Sequence, residues 1–161
     1  MSKNIKEISF GFTLLEVMIV VALLGIVLAI AVPSINSTLD EMKLDSAAQE
    51  IVTAIHYAQS LAIKEGVAYG VEFFPGTDSF RCYQKATDLT IYNPLDKKPY
   101  VVDFAGEGHL QGVGLSTTFG NNEVEFNSLG ESSVGGSIIL GYAGFQKTIN
   151  VSAVIGKVSV Q

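Results

Sequence analysis

One cysteine among 161 residues excludes an internal disulfide. That residue, Cys82, sits inside the strand-like run "FRCYQ", where a buried, unreactive thiol is the expected state. Positive charge is also scarce: ten Lys and Arg stand against sixteen Asp and Glu, for a net charge of -6. An acidic surface repels phosphate backbones, and Lys97-Lys98, the nearest thing to a basic cluster, suits a solvated loop, so no nucleic-acid partner is expected. The two histidines, His56 on a helical stretch and His109 in "GEGHLQG", have no partner at metal-ligand spacing, and no Ser, Cys or Asp stands in a nucleophile motif. "GVGLSTTFG" lacks GxGxxG and a following helix, "GFQKT" lacks the glycine that a phosphate loop needs before its lysine, and both read as turns. Asp88, Asn93 and Asp96 offer oxygens at a spacing that fits no calcium loop. The expectation is a chain with no catalytic residues, no metal, no cofactor and no small-molecule substrate. Internal repeats and low-complexity linkers are missing too.

What the chain has in excess is apolar residues, at 48%. The excess has one address. Over residues 12–32 everything except Thr13, Glu16 and Gly25 is plainly apolar, enough helix at 1.5 Å per residue to cross a hydrocarbon core of about 30 Å. A secretory signal would be shorter and would end in a small-residue cleavage site, whereas here "AIAVPSIN" runs on into helix-compatible sequence. The run therefore reads as a retained anchor. Lys3 and Lys6 would hold its N-terminus in the cytoplasm and send the rest outward. Glu16 is out of place in such a run, since a carboxylate costs on the order of 2.5 to 3.5 kcal/mol there unless it snorkels to the headgroups or finds a partner.

Beyond the anchor, Ile35, Leu39, Met42, Ile51, Ile55, Ala58 and Leu61 or Ala62 fall at helical spacings, with alanines at 47, 48 and 54 and charged residues between. Pro33 removes one intrahelical hydrogen bond and bends the helix without ending it. The spacing predicts one helix from Phe12 to Glu65, roughly 80 Å long, closed by Gly66. After Gly66 the period changes. "VAYGVEFF", the turn "PGTDS" and "FRCYQKA" make a hairpin, and "YVVDF", "VGLSTTF", "NEVEF", "SIILGY", "KTINVSAV" and "GKVSVQ" are short strand-like runs between turn residues. "YNPLDKKP" reads as an exposed loop. The fold class is α+β, with the amphipathic half of the helix laid on antiparallel sheets.

"GFTLLEVMIVVALLGIVLAIAVP" resembles the N-terminus of a type IV pilin or pseudopilin precursor, in which a short basic leader ends in Gly, the mature chain begins with Phe, and the fifth mature residue is Glu. Here those are Gly11, Phe12 and Glu16. The resemblance implies that a prepilin peptidase cuts after Gly11 and methylates the new amine of Phe12, and that Glu16 meets the N-terminal amine of a neighbouring subunit in a filament. It divides the chain into a removed leader (1–11), an assembly and membrane helix (12–33), an amphipathic second half (34–66) and a β domain (67–161). The C-terminal stretch is similar to the GspH/FimT group, with Phe126 and Gly130 in a Phe-x-x-x-Gly turn and a closing strand from Gly156. Two departures stand out. Lys157 replaces the usual arginine, and Ser159 replaces a second basic residue of DNA-binding relatives, against a DNA-uptake role. No C-terminal cysteine pair staples a receptor-binding loop.

The reading that follows is a structural minor pseudopilin of a type II secretion system. It sits in the inner membrane with a periplasmic C-terminal domain, and enters a filament at or near the tip with other pilin or pseudopilin subunits. The alternatives are a minor pilin of a type IV pilus, serving assembly, adhesion or DNA uptake, and an uncleaved single-pass protein with a ligand-binding periplasmic domain. An anchored hydrolase would need a polar cluster that the sequence does not offer.

Overall fold

The computed structural model describes residues 12–161, with backbone alone for residues 31–36. Among the described residues one helix, α1, runs Leu14–Glu65. It ends where the sequence predicts: Gly66 takes φ +71° and donates its N–H to the Ala62 carbonyl at 3.0 Å. Glycine adopts that left-handed conformation without the steric cost a Cβ brings.

Two compact units divide between Thr38 and Leu39. In the first, every described apolar side chain of the helix is exposed. In the second, Leu44, Ala47, Ala48, Ile51, Ala54, Ile55, Ala58 and Ala62 form a buried stripe at the 3.6-residue period. Five of those eight are alanine, and small side chains on the contact face let a sheet backbone come close to the helix axis. The clearest sign is Cys82, whose Sγ lies 3.8 Å from the Ala54 carbonyl oxygen.

Nine strands follow: β1 Tyr69–Phe74, β2 Ser79–Gln84, β3 Leu89–Thr90, β4 Val101–Asp103, β5 Gly114–Thr117, β6 Glu123–Phe126, β7 Gly136–Tyr142, β8 Phe145–Val151 and β9 Val158–Val160. They make two antiparallel sheets, one ordered β3-β2-β1-β6 with β4 also on β2, the other β5-β7-β8-β9. The β1–β2 hairpin turns through the predicted "PGTD", pairing Phe74 with Ser79. The β7–β8 hairpin turns on Ala143 and Gly144 alone, both at positive φ (50° and 87°), the twist that two-residue hairpins favour.

Both inner sheet faces and the helix stripe meet in one core, where Phe73, Phe80, Phe104, Phe126, Ile138, Leu140 and Ile149 are fully buried. Phe73 stacks on Phe119 at 6.2 Å, and Phe80 meets Phe104 edge-on at 6.0 Å. The outer face of the first sheet is polar. There Tyr83 lies over Gly70, where a Cβ would fall 3.0 Å from its ring, and its one hydroxyl proton is shared between the carboxylates of Glu123 and Glu125, 2.6 and 2.7 Å away.

Three expectations need correction. Leu39 and Met42 are exposed (56% and 58%), not core, and Leu44 is buried in their place. At about 100° per residue they lie roughly 140° and 200° round the helix from Leu44, off the stripe that the sheets cover. "GVGLSTTFG" and "GFQKT" are not turns: the first holds β5, as the strand-like run "VGLSTTF" predicts, and the second opens β8, ahead of the strand-like run "KTINVSAV". The two-residue β3 lies in "TDLTIYN", which shows no strand pattern of its own.

Candidate functional site

The start of α1 is built by Thr13. Its Oγ1 accepts the Glu16 N–H at 3.2 Å, and its carbonyl accepts the Val17 N–H at 3.2 Å. Thr13 is thus the N-cap, and Thr13-Leu14-Leu15-Glu16 has the residue order of a capping box, in which a Ser or Thr is followed three positions later by Glu. As an N-cap Thr13 is absent from the sequence-based expectations, although "TLLE" carries the capping-box signal. Glu16 consequently stands in the first helical turn, where unpaired amides concentrate positive potential and a carboxylate is favoured.

Phe12 precedes the helix and is 79% exposed. Gly11 lies outside the described residues. Pro33 falls within α1, and its side chain lies outside them, as does the bend expected there. Downstream of Glu16, apolar side chains from Val17 to Ile30 project on all sides of the helix and are exposed. Such a surface is stable only against lipid or other apolar helices. Among the described residues no helix is long and apolar enough to cross a membrane. The apolar run among the described side chains ends at Ile30, about 25 Å of helix rise from Leu14 against the ~30 Å of a hydrocarbon core.

A second convergence joins Phe126, Gly130 and Gly156, the residues of the C-terminal resemblance. Gly130 and Gly156 both take positive φ (78° and 61°). A Cβ on Gly156 would fall 2.8 Å from Gln59 Nε2, 2.9 Å from the Gly130 carbonyl and 2.9 Å from the Phe126 ring; one on Gly130 would meet Ile63 at 2.7 Å. Gln59 Nε2 donates to that carbonyl at 2.7 Å. Glycine is therefore demanded by conformation at both positions, and at Gly156 also by the backbone carbonyl of Gly130 beside it. They fix the C-terminal loops on the helix. Gln59 was not singled out from the sequence, because a polar residue beside an alanine stripe carries no signal of its distant acceptor.

The remaining candidates are structural. Cys82 is fully buried, and burial pushes its thiol well above the usual range. His56 is exposed on the helix, and His109 lies in a loop with Nδ1 3.9 Å from Glu107. Asp88 binds Arg81 at 2.8 Å, Asn93 accepts the Leu95 N–H and Asp96 the Lys98 N–H, so these three stabilise turns. Among the described residues no group of three or more His, Cys, Asp or Glu could hold a metal ion. The loop "YNPLDKKP" is closed by a Tyr92–Pro99 bridge and is exposed at its tip.

The family model of type II transport protein GspH matches residues 47–154, and that of the prokaryotic N-terminal methylation motif matches residues 9–32. No curated protein matches the chain. Among solved structures, the minor pseudopilin EpsH from the type 2 secretion system of Vibrio cholerae is similar at a TM-score of 0.58 and 16% identity, over 74% of this chain and 96% of that one. The type IV minor pilin FimU of Pseudomonas aeruginosa is similar at a TM-score of 0.54 and 17% identity, over 73% of this chain and 92% of that one. Both likenesses are of fold. An apolar helix with a capped, carboxylate-bearing start, the N-terminal methylation motif over it, and a two-sheet domain matched over residues 47–154 establish that this chain belongs to the family of type II transport protein GspH.

Proposed function

We propose that the chain is a minor pseudopilin of a type II secretion system, made as a precursor, cut after Gly11 by a prepilin peptidase and N-methylated on Phe12. In this reading residues 1–11 are a removed leader, 12–33 the membrane and assembly helix, 34–66 its amphipathic continuation and 67–161 the periplasmic β domain. The observation that carries it is the helix surface around Glu16: one carboxylate in the first turn, followed to Ile30 by apolar side chains exposed on every side. Lipid covers such a surface before assembly, and neighbouring helices cover it afterwards. Lys3 and Lys6 support an orientation with the N-terminus cytoplasmic, in a chain that resides in the inner membrane.

In the filament Glu16 pairs with the amine of a neighbour's Phe12. A buried carboxylate is tolerated when paired and strongly destabilising when its partner is removed, so the pair sets the register of helices that apolar packing alone leaves free to slide. The chain's work is mechanical. It caps or initiates the filament, at or near the tip, through contacts of its β domain with other minor subunits.

The test is the intact mass of the membrane-extracted protein from its native host, with N-terminal sequencing. A chain beginning at N-methylated Phe12 supports the reading. A chain still carrying Lys3 and Lys6 replaces it with an uncleaved anchored domain. The filament type is read from which subunits co-purify with it: secretion pseudopilins, or the pilins of a type IV pilus.

A further inference from the structure

The β8–β9 ladder fixes which backbone groups of β9 face outward. Thr148 and Gln161 exchange both hydrogen bonds (2.9 and 2.8 Å), and Ser152 donates to Lys157 at 2.9 Å. With Ile149 opposite Val160 and Val151 opposite Val158, the alternation of an antiparallel pair turns the N–H and C=O of Val158 and Val160 away from β8. Among the described residues they meet no protein partner.

The other ends of the sheets are treated differently. On β5, at the opposite edge of the same sheet, the Leu115 N–H is taken by Asp78 Oδ1 at 2.7 Å. On β6 the edge ends in a bridge from Phe126 to Ser132. β9 has no proline or bulge, and no charged side chain among its own three residues. Beside it runs a groove of about 510 Å³ between β9 and α1, its floor Ala48, Val52 and Val160, its rim Gln49 and the Asp45–Lys147 ion pair. The side chain of Val160 is 44% exposed there.

Unsatisfied main-chain donors and acceptors at ladder spacing are matched by one kind of ligand, an extended backbone, which would lie ~4.8 Å from β9 and over this groove. An alternating strand suits both surfaces at once, with apolar side chains toward Ala48 and Val52 and polar ones toward solvent. We propose that β9 is an acceptor edge, to which a neighbouring pilin-like subunit adds one strand, extending the second sheet between subunits. The proposal rests on the filament reading above.

It is tested in the full chain, in native-host membranes, with a photo-crosslinking residue replacing Gln49 on the groove rim. Val160→Pro deletes an outward N–H and leaves the β8 ladder intact; Val160→Thr keeps that N–H and serves as control. The expected result is a crosslink to an extended segment of another pilin-like subunit, reduced roughly tenfold by Val160→Pro and retained by Val160→Thr, with the thermal midpoint of the purified chain unchanged in both. Equal crosslinking in Val160→Pro, a crosslink only to a second copy of this chain, or one to a helical segment overturns the proposal while leaving the filament reading in place. An uncut N-terminus in the same preparation overturns the filament reading, and with it strand addition from a neighbouring filament subunit.

Discussion

Gln59 on the helix and Gly130 in the loop after β6 are joined by a 2.7 Å hydrogen bond across 71 residues of sequence. Both ends are enclosed, with Gly156 and Phe126 packed around them. Replacing Gln59 with Leu leaves the Gly130 carbonyl without its donor, and is expected to cost about 1 to 3 kcal/mol, read as a lowered thermal midpoint of the detergent-solubilised chain. An unchanged midpoint would show that the bond contributes nothing net.

Gly156→Ala is expected to be worse than Gln59→Leu. A Cβ there meets three groups within 3.0 Å, one of them backbone, and φ is +61°. Gly144→Ala, at φ +87° with open space around it, serves as control for the conformational part alone. If the two alanine variants unfold at the same temperature, crowding is not what fixes Gly156.

At the N-terminus, Glu16→Ala is expected to leave cleavage after Gly11 largely intact while reducing incorporation into filaments, because the carboxylate acts in pairing and not in the peptidase cleft. Normal incorporation would defeat the pairing argument. Thr13→Ala removes the N-cap and is expected to cost the first helical turn about 1 kcal/mol, seen as faster amide exchange at Glu16 and Val17. Gly11→Val is expected to leave an uncut precursor in the membrane.

Alkaline pH should destabilise the β domain. Burial, together with the hydrogen bond to Glu65, pushes Tyr69 from 10.0 up to about 12. Burial first, then the bonds to Glu123 and Glu125, pushes Tyr83 upward as well. The folded state favours the neutral phenol, so this stability is fully present below pH 10 and is lost as the pH rises from about 10 through 12. A thermal midpoint that is flat from pH 9 to 12 would contradict this. Cys82 should resist maleimide at pH 8 in the folded chain and react on denaturation.

The N-terminal signal was readable because it is local. Glu16 and the apolar run act through neighbours on one helix, and Gly66 stops that helix by its own backbone freedom. Most strands were readable for the same reason, since a period of two needs only a few consecutive residues. Leu39 and Met42 were misassigned because they lie on a different face from Leu44 and the alanine stripe, and which face of a helix a sheet covers is decided by distant strands.

The amino-acid sequence by itself determined the helix and its C-terminal end, the α+β class and the family, all of which rest on short-range patterns and on a contiguous motif. Tertiary structure alone decided the order of two sheets, the Gln59 bond to Gly130 and the bare edge of β9. Each of those depends on which distant segments meet. Backbone hydrogen bonds between strands are chemically identical in every register, so only packing of Phe73, Phe80, Phe126 and Ile149 against the alanine stripe selects one arrangement.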